Sequence, residues 1–323
     1  MASPGEQGKG LTLGRVRIAA RNLSALGVVG AVVLVLLRFL DFDNIPLLGV
    51  VAIAPLLLAI GILATGALAG LRPFLAAAVV VGVFGALWLP GTVLPRSGCD
   101  VSGDRRDDAV VLMSHNLLVG NPNLDSVFAQ IQEVDPDVLF LQETTGQMFN
   151  ELYADLADHY PYVSALGLQH IVSRWPLTDR FESGTRTGGA LIATIAAPSG
   201  DLRVANVHPS APLTAERRVN QREEYAQLAE WRVDESVDLL MGDFNASGSH
   251  VLYRGVVSDG YVDAHRKVGC GTGLTWSRQL GSGPALLSLD HALVHESFRA
   301  ERFEVLDYAG SDHKAIAVRV GIP

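Results

Sequence analysis

Acids, amides and imidazoles recur in this sequence where apolar runs stop. LMGDFNAS, residues 240–247, closes an apolar run with a carboxylate and an amide two positions apart. On a strand, residues i and i+2 face the same way, so Asp243 and Asn245 are expected to aim at one spot while Phe244 turns into the core. Gly242 would allow a backbone or a ligand to come close. The same residues also suit an Asx-rich turn after a buried strand. The pattern repeats. AVVLMSHN (109–116) ends in Asn116 and DPDVLFLQE (135–143) in Glu143. DLRVANVHP (201–209) carries His208, LLSLDHALVH (286–295) carries Asp290, and GSDH (310–313) carries Asp312 and His313. Singly, each has a plain structural use: a turn cap, a helix-start carboxylate, a satisfied core histidine. Together they describe one rim of a sheet, where loops build sites. Carboxylate oxygens hold hard cations, and a histidine beside a carboxylate moves protons.

The elements that must position these groups are legible in outline. Asn123 is expected to cap a helix with Leu124, Val127, Phe128 and Ile131 on one face. Residues 188–197 and 201–209 read as a hairpin around Pro198, Ser199 and Gly200. TAERRVNQREEYAQLAEWR (214–232) reads as a helix with Thr214 as N-cap, and 303–320 supplies the last strands. Helices interleave with strands that are apolar throughout, which favours an α/β or α+β layered fold with sheets buried by helices.

Charge divides the chain. Residues 1–96 hold 7 Lys or Arg and 3 Asp or Glu, and residues 97–323 hold 18 and 31, so the two parts carry 7 − 3 = +4 and 18 − 31 = −13. Three apolar runs fill the first part, at 22–40, 45–71 and 73–94, each long enough for a membrane-spanning helix of ~20 residues. Only Arg38 is charged within them, near a run's end where it can snorkel. Lys9, Arg15, Arg17 and Arg21 precede the first run and Arg72 lies between the second and third. The positive-inside rule then puts the tail 1–21 in the cytoplasm and everything after three crossings outside it. The expected organisation is a basic tail (1–21), three transmembrane helices (22–96), a linker (97–108) and a catalytic domain (109–323). Such a protein sits in the cell membrane as a multi-pass chain with the lipid bilayer as its partner. Cys99 and Cys270 both fall in the exported part, where they can pair or stay unrelated thiols.

SHN (114–116), LQE (141–143), NVHP (206–209), GDFN (242–245), LDHALV (289–294) and GSDH (310–313) resemble, in order and spacing, the endonuclease/exonuclease/phosphatase (deoxyribonuclease I-like) family. The resemblance covers nearly all of 109–320 and leaves the membrane part outside. It implies an α/β (α+β) four-layer sandwich, two packed β-sheets flanked by helices; the apolar runs add, ahead of it, an N-terminal bundle of three transmembrane helices. It also implies a Mg²⁺-dependent phosphoester hydrolase, with Mn²⁺ as the substitute. By resemblance Glu143 is the chief metal ligand with Asn116 close by, and Asp312 is a metal-proximal carboxylate. Asp243 orients or deprotonates the attacking water and Asn245 holds the phosphate. His313 is the catalytic histidine, poised by Asp290, and His208 is a second histidine that contacts phosphate or acts as acid. Whether His313 is base or phosphate-binding acid stays open.

The match has gaps. No counterpart is found for the tyrosine or arginine that some branches place on the phosphate. Arg174 reads as a structural ion pair. Arg218 and Gln221 read as solvated or supporting residues, and His115, His291 and His295 as spacers or surface residues. His159, His170, His250 and His265 carry no motif. The acidic balance lacks the basic face usual for duplex DNA, although Arg217, Arg218 and Arg222 form a small cluster, and no aromatic ladder for single strands is visible. The expected substrate is a phosphodiester, either nucleic acid or a phospholipid headgroup. The alternative is a catalytically inactive, membrane-tethered binding module, whose signature would be a lost metal ligand or histidine; neither is lost.

Overall fold

The computed structural model describes residues 4–37, 58–88, 99–102, 108–185 and 188–323, apart from short breaks at 235, 249, 258–259, 269, 272, 278–282, 284 and 286. The chain divides into two compact units, Met1–Pro90 and Gly91–Pro323.

The first unit holds α1 (Pro4–Leu37), α2 (Leu58–Ala69) and α3 (Leu71–Trp88). Ala31, Ile62 and Ala77 bury against one another. Small residues make this approach close: a Cβ on Gly27 would lie 2.7 Å from the Ile62 side chain. Among the described residues, one window, Leu13–Val33 of α1, is long and apolar enough to cross a membrane. The expected bundle of three transmembrane helices is thus seen, among the described residues, as one helix of spanning length and two shorter apolar ones. Helix α1 runs through Arg15, Arg17 and Arg21, which the sequence reading assigned to a tail. The second and third expected spans are seen only as α2 and α3, and their remainders lie outside the described residues.

The second unit is built on two six-stranded sheets. Its strands are β1 (Ala109–Asn116), β2 (Val138–Gln142), β3 (Tyr162–Leu166), β4 (Gln169–Ser173), β5 (Leu177–Thr185), β6 (Gly188–Ala197), β7 (Gly200–His208), β8 (Leu239–Asp243), β9 (Tyr261–Asp263), β10 (Asp290–His295), β11 (Arg299–Val305) and β12 (Ile316–Gly321). One sheet runs β11-β12-β1-β2-β4-β3 and the other β5-β6-β7-β8-β10-β9. Each has a single parallel pair at its centre, β1 with β2 and β7 with β8, and is otherwise antiparallel. A parallel pair needs a crossover. The crossovers are α4 (Leu124–Val134) and α6 (Ala215–Asp234). Shorter helices complete the unit: α5 (Gly146–Ala154), α7 (Val251–Val256) and α8 (Ala264–Val268).

Alternation along each strand sorts side chains into layers. In β1, Val110 and Leu112 enter a core shared with the facing sheet, whose contribution includes Val204, Leu239, Met241, Ala292 and Val294. Val111 and Met113 face the other way, onto Val127, Ile131 and Leu152 of α4 and α5. The second sheet's outer face, with Ile192, Val207, Leu240 and Leu293, packs on Tyr225, Leu228 and Tyr253 of α6 and α7. Helices, sheet, sheet and helices follow in that order. The strands are apolar throughout because both of their faces are covered.

Local signals fare unevenly. Thr214 accepts from Arg217 N at 3.2 Å, as its N-cap role requires. Asn123 occupies the cap position of α4, yet its side chain makes no cap bond. Cys99 and Cys270 are disulfide-bonded across 171 residues of sequence. Val101 is fully buried and its N–H donates to Glu304 Oε2 at 3.2 Å. The described start of the expected linker is therefore part of the unit's packing.

Gly242 sits where β8 lies against β7, at φ +150°, and a Cβ there would be 2.0 Å from the Val207 carbonyl oxygen. Substitution Gly242→Ala is expected to cost about 3–5 kcal/mol, since strain and a backbone clash combine. Chemical unfolding measures it, with Gly146→Ala as control; that glycine has open space around its Cβ position and lies in a helix, so its change is neutral or stabilising. Equal stability of Gly242→Ala and wild type would refute the close-approach assignment.

Candidate active site

The inter-sheet layer turns polar at one end. Following the alternation that buries Val110 and Leu112, the next positions of β1 on that face are Ser114 and Asn116. In β2 the series Val138, Phe140 ends in Gln142, and in β7 the series Leu202, Val204 continues to Asn206 and His208. In β8, Leu239 and Met241 lead to Asp243; β10, antiparallel to it, begins with Asp290 directly opposite Asp243. Parallel pairing brings the C-terminal ends of β1 and β2, and of β7 and β8, to the same rim. The loop before β12 arrives there too, because β12 is antiparallel to β1. The site is thus the last polar layer of the core between the sheets.

Asn116 joins the two sheets. Its Nδ2 donates to Glu143 Oε1 at 3.2 Å and to Asp243 Oδ2 at 3.0 Å. Its Oδ1 accepts from Leu118 N at 3.1 Å. Glu143 lies just past β2 at φ +54°, and its Oε2 accepts from Val119 N at 3.3 Å. His208 Nε2 stands 3.8 Å from both Glu143 Oε1 and Asp243 Oδ2. His313 Nδ1 is 2.9 Å from Asp290 Oδ2 and its Nε2 is 3.6 Å from Asp243 Oδ2. Six of the eight expected site residues, Asn116, Glu143, His208, Asp243, Asp290 and His313, therefore form one cluster.

The other two adjoin it in unexpected ways. Asn245 does not share a strand face with Asp243, because β8 ends at Asp243 and Asn245 takes φ +47°. It closes an Asx turn instead: its N–H donates to Asp243 Oδ1 at 2.8 Å and its Nδ2 to Pro209 O at 3.0 Å. Phe244, between them, is fully buried as expected. Asp312 accepts from Trp276 Nε1 at 3.0 Å, and its charge adds to those that favour the protonated His313 ring. Arg174 pairs with Asp135 and Asp137 beside Tyr160, the structural ion pair expected.

Several supporting residues escaped the sequence reading. His115, taken for a spacer, is fully buried and its Nε2 donates to the His313 carbonyl at 3.1 Å. His291 is also buried, with Nε2 donating to Ala246 O at 3.0 Å. Both lie on strands covered on both faces, the one signal that could have marked them as interior. Gln142 Nε2 donates to Asn206 Oδ1 at 2.7 Å, a polar tie between the sheets directly beneath the site. Gln221, read from the sequence as solvated or supporting, is the latter: buried on α6, it donates to Asn245 O at 3.0 Å. Residues 275–277 clasp the two segments that bear the histidine–acid pair. Thr275 Oγ1 accepts from Asp290 N at 3.2 Å, Thr275 O accepts from Lys314 N at 2.7 Å, and Ser277 N donates to Asp312 O at 3.0 Å.

Burial sets the electrostatics. It disfavours a charged His313 ring, but the Asp290 and Asp243 carboxylates and the bond to Asp290 outweigh it, and the imidazole is pushed up to about 10. Burial pushes the Asp243 carboxyl up, against the pull of His313's charge. At His115 burial prevails and takes the ring down to about 4, so it stays neutral. Asp243, Asp290 and His313 offer ligand atoms within 4.8 Å of one another. A charged imidazole is no ligand, however, so His313 is better read as the acids' counter-charge. Glu143 Oε1 and Asp243 Oδ2, both held at one amide, are oxygen donors of the kind a hard cation takes. Asp290 Oδ1 is buried without a hydrogen-bond partner. These donors fit a divalent ion.

Residues 113–313, more than half of the chain, match the profile of the Endonuclease/Exonuclease/phosphatase family. No curated protein matches the chain in sequence. Solved structures resemble it in fold. An endonuclease/exonuclease/phosphatase family protein from Bacteroides thetaiotaomicron has a TM-score of 0.57 at 17% identity, covering 67% of this chain and 98% of its own. A Neisseria 3′ phosphatase bound to a product DNA hairpin has 0.54 at 18%, covering 65% and 98%. A Staphylococcus aureus beta toxin with bound magnesium ions has 0.52 at 16%, covering 66% and 99%.

Substitution Asp290→Asn removes the foremost attraction holding the His313 proton. The ring's titration midpoint should drop by roughly 1–3 pH units, so that the variant is neutral at a mildly basic pH where wild type is charged. Imidazole NMR of the metal-free protein reads it, and an unmoved midpoint would disprove the pairing.

Proposed function

Because the chain belongs to the endonuclease/exonuclease/phosphatase family, we propose that its second unit hydrolyses phosphoesters with the help of a divalent cation. The observation that carries this reading is the meeting of Glu143, Asp243 and the Asp290–His313 pair around Asn116, at the rim where the two sheets end. Hydrolysis needs a water deprotonated, phosphoryl charge offset and a leaving group helped away. Asp243, its carboxyl raised by burial, is the group to take the water's proton. His313, held protonated at neutral pH, cannot start as a base; it binds phosphoryl oxygen or supplies a proton. Of the two roles left open by sequence, base or phosphate-binding acid, our reading takes the acid. His208, near both Glu143 and Asp243, is placed to contact the phosphate from the other side. Asn245 fixes the Asp243 carboxylate through its backbone N–H, so its contribution is positional.

Glu143 and Asp243 would hold the cation, with Asn116 keeping the two carboxylates in register; Asp312, tied to Trp276, would act from outside that set. When bound, Mg²⁺ or Mn²⁺ supplies Lewis-acid stabilisation of phosphoryl charge. Bound magnesium in the similar beta toxin agrees with this donor chemistry.

We further propose that the first unit anchors the protein in the cell membrane through three apolar helices, with the N-terminus in the cytoplasm and the hydrolase outside it. The spanning-length stretch of α1 and the short apolar helices α2 and α3 support anchoring. The Cys99–Cys270 disulfide supports an oxidising location for the second unit.

With Mg²⁺, the full chain should hydrolyse bis-p-nitrophenyl phosphate, and Glu143→Ala and His313→Ala should each lower kcat by at least ~10²-fold. Full activity in EDTA would rule out the metal. For topology, a periplasm-type reporter that works only outside the cytoplasm, fused after Pro323, should be active; a silent reporter beside an active cytoplasmic one would reverse the orientation.

A further inference from the structure

We propose that His291 is a positioning residue for Asp243: from the face of β10 turned away from the site, it holds the backbone turn whose N–H fixes that carboxylate. Its effect on catalysis rests on the hydrolase reading above; its hold on the turn does not.

Asp243 ends β8, and Asn245 N donates to its Oδ1 at 2.8 Å. Asn245 makes this bond from a left-handed backbone, at φ +47°. For a residue other than glycine that conformation costs energy, and it persists where the surroundings over-determine it. The surroundings here are side chains. Three successive carbonyls of the turn each accept one donor: Phe244 O from Tyr225 Oη at 2.8 Å, Asn245 O from Gln221 Nε2 at 3.0 Å, and Ala246 O from His291 Nε2 at 3.0 Å. Tyr225 and Gln221 lie four residues apart on one face of α6. The third donor comes from a different element, β10, one residue after Asp290.

Side chains alternate along a strand, so Asp290 points into the site and His291 away from it. The Asp-His dipeptide thus serves both buried acids. Asp290 pairs with His313, and His291 takes the carbonyl three residues beyond Asp243, which lies opposite Asp290 across the paired strands. The His291 ring is itself fixed. It is buried, tilts onto Tyr253 with ring centroids 4.1 Å apart, and meets Phe244 edge to face at 5.5 Å. Its Nδ1 faces Asp263 Oδ2 at 3.6 Å. The same oxygen accepts from Tyr253 Oη at 2.7 Å, and Asp263 Oδ1 accepts from Arg266 N at 3.2 Å. Both ring nitrogens therefore face acceptors, Ala246 O on one side and a held carboxylate on the other, which sets the ring's orientation. A side chain that only filled this space would need neither acceptor, and a carbon ring of the same size would serve as well.

The test compares His291→Gln with His291→Phe in the full chain. Glutamine carries an N–H about as far out as Nε2 and gives up the ring; phenylalanine keeps the ring and gives up both donors. With Mg²⁺ and bis-p-nitrophenyl phosphate, His291→Phe should lower kcat by at least ~10-fold with KM within ~3-fold of wild type, and His291→Gln should recover most of kcat. Hydrogen exchange of the metal-free protein, read by mass spectrometry, gives a measure apart from activity. Residues 243–247 should exchange at least ~10-fold faster in His291→Phe and near the wild-type rate in His291→Gln, with β6 unchanged in both. Should His291→Phe not fold, His291→Asn takes its place, since its N–H stops at the level of Nδ1; it should lose as much. Equal losses in the two variants, or a better enzyme with Phe than with Gln, reduce His291 to packing and overturn the proposal. So does a turn that stays protected in His291→Phe. A wild-type protein that cleaves no phosphoester would sink the hydrolase reading instead, and the order of exchange rates would still decide the hold on the turn.

Discussion

Two buried carboxylates flank one buried imidazole, and the rest of the second unit is arranged to make that tolerable. Asp243 and Asp290 face each other across paired strands and are almost wholly shielded from water. A carboxylate taken out of water costs several kcal/mol unless it is paired and hydrogen-bonded. Here His313 supplies the charge to both, 2.9 Å from one and 3.6 Å from the other. Asn116 and the Asn245 backbone supply hydrogen bonds to Asp243, and Thr275 holds the backbone at Asp290. The residual imbalance, with Glu143 adding a further acid, is what makes a divalent cation chemically at home.

That cluster can exist only where two sheets end together. Each sheet carries one parallel pair at its centre, and the crossover helices α4 and α6 pack on the outer faces. The inner faces then meet directly, and the rim where they end is free to carry polar groups. The Gln142–Asn206 bond fixes the sheets against sliding one layer below the catalytic groups. Gly242 brings β7 and β8 close at the same level, since a side chain there would strike Val207. Position along the strand therefore decides chemistry: the same face that is Val, Leu and Met deep in the molecule becomes Asn, Gln, His and Asp at the rim.

This gradient is why so much of the site was legible in the sequence. An apolar run that stops at a polar residue marks both a buried strand and its rim, and Asn116, Glu143, His208, Asp243 and Asp290 were found that way. What escaped depends on contacts between distant segments. Nothing near Asp312 announces Trp276, 36 residues earlier in the chain, whose indole donates to it. The Cys99–Cys270 pair was offered by the sequence beside two unrelated thiols, and only the fold decides between them. His115 was misread for a subtler reason: polar residues in a strand suggest an exposed face, whereas β1 has none. Asn245 was misplaced because strand periodicity was carried two residues past the end of β8, to the residue where the backbone turns left-handed.

The hydrogen bond from Trp276 to Asp312 has a chemical consequence: that carboxylate, whose charge still reaches His313, has an indole N–H as a partner of its own. With Asp312 bonded to an indole N–H, the inner set divides more evenly. Asp290 belongs to His313, and Glu143 and Asp243 share the Asn116 amide. The proton on His313 is then set chiefly by its acid partner on β10, while the acids at the opposite wall remain available to an ion. A single buried layer thus holds the His313–Asp290 pair on one side and Glu143 on the other, with Asp243 tied to both through His313 Nε2 and the Asn116 amide.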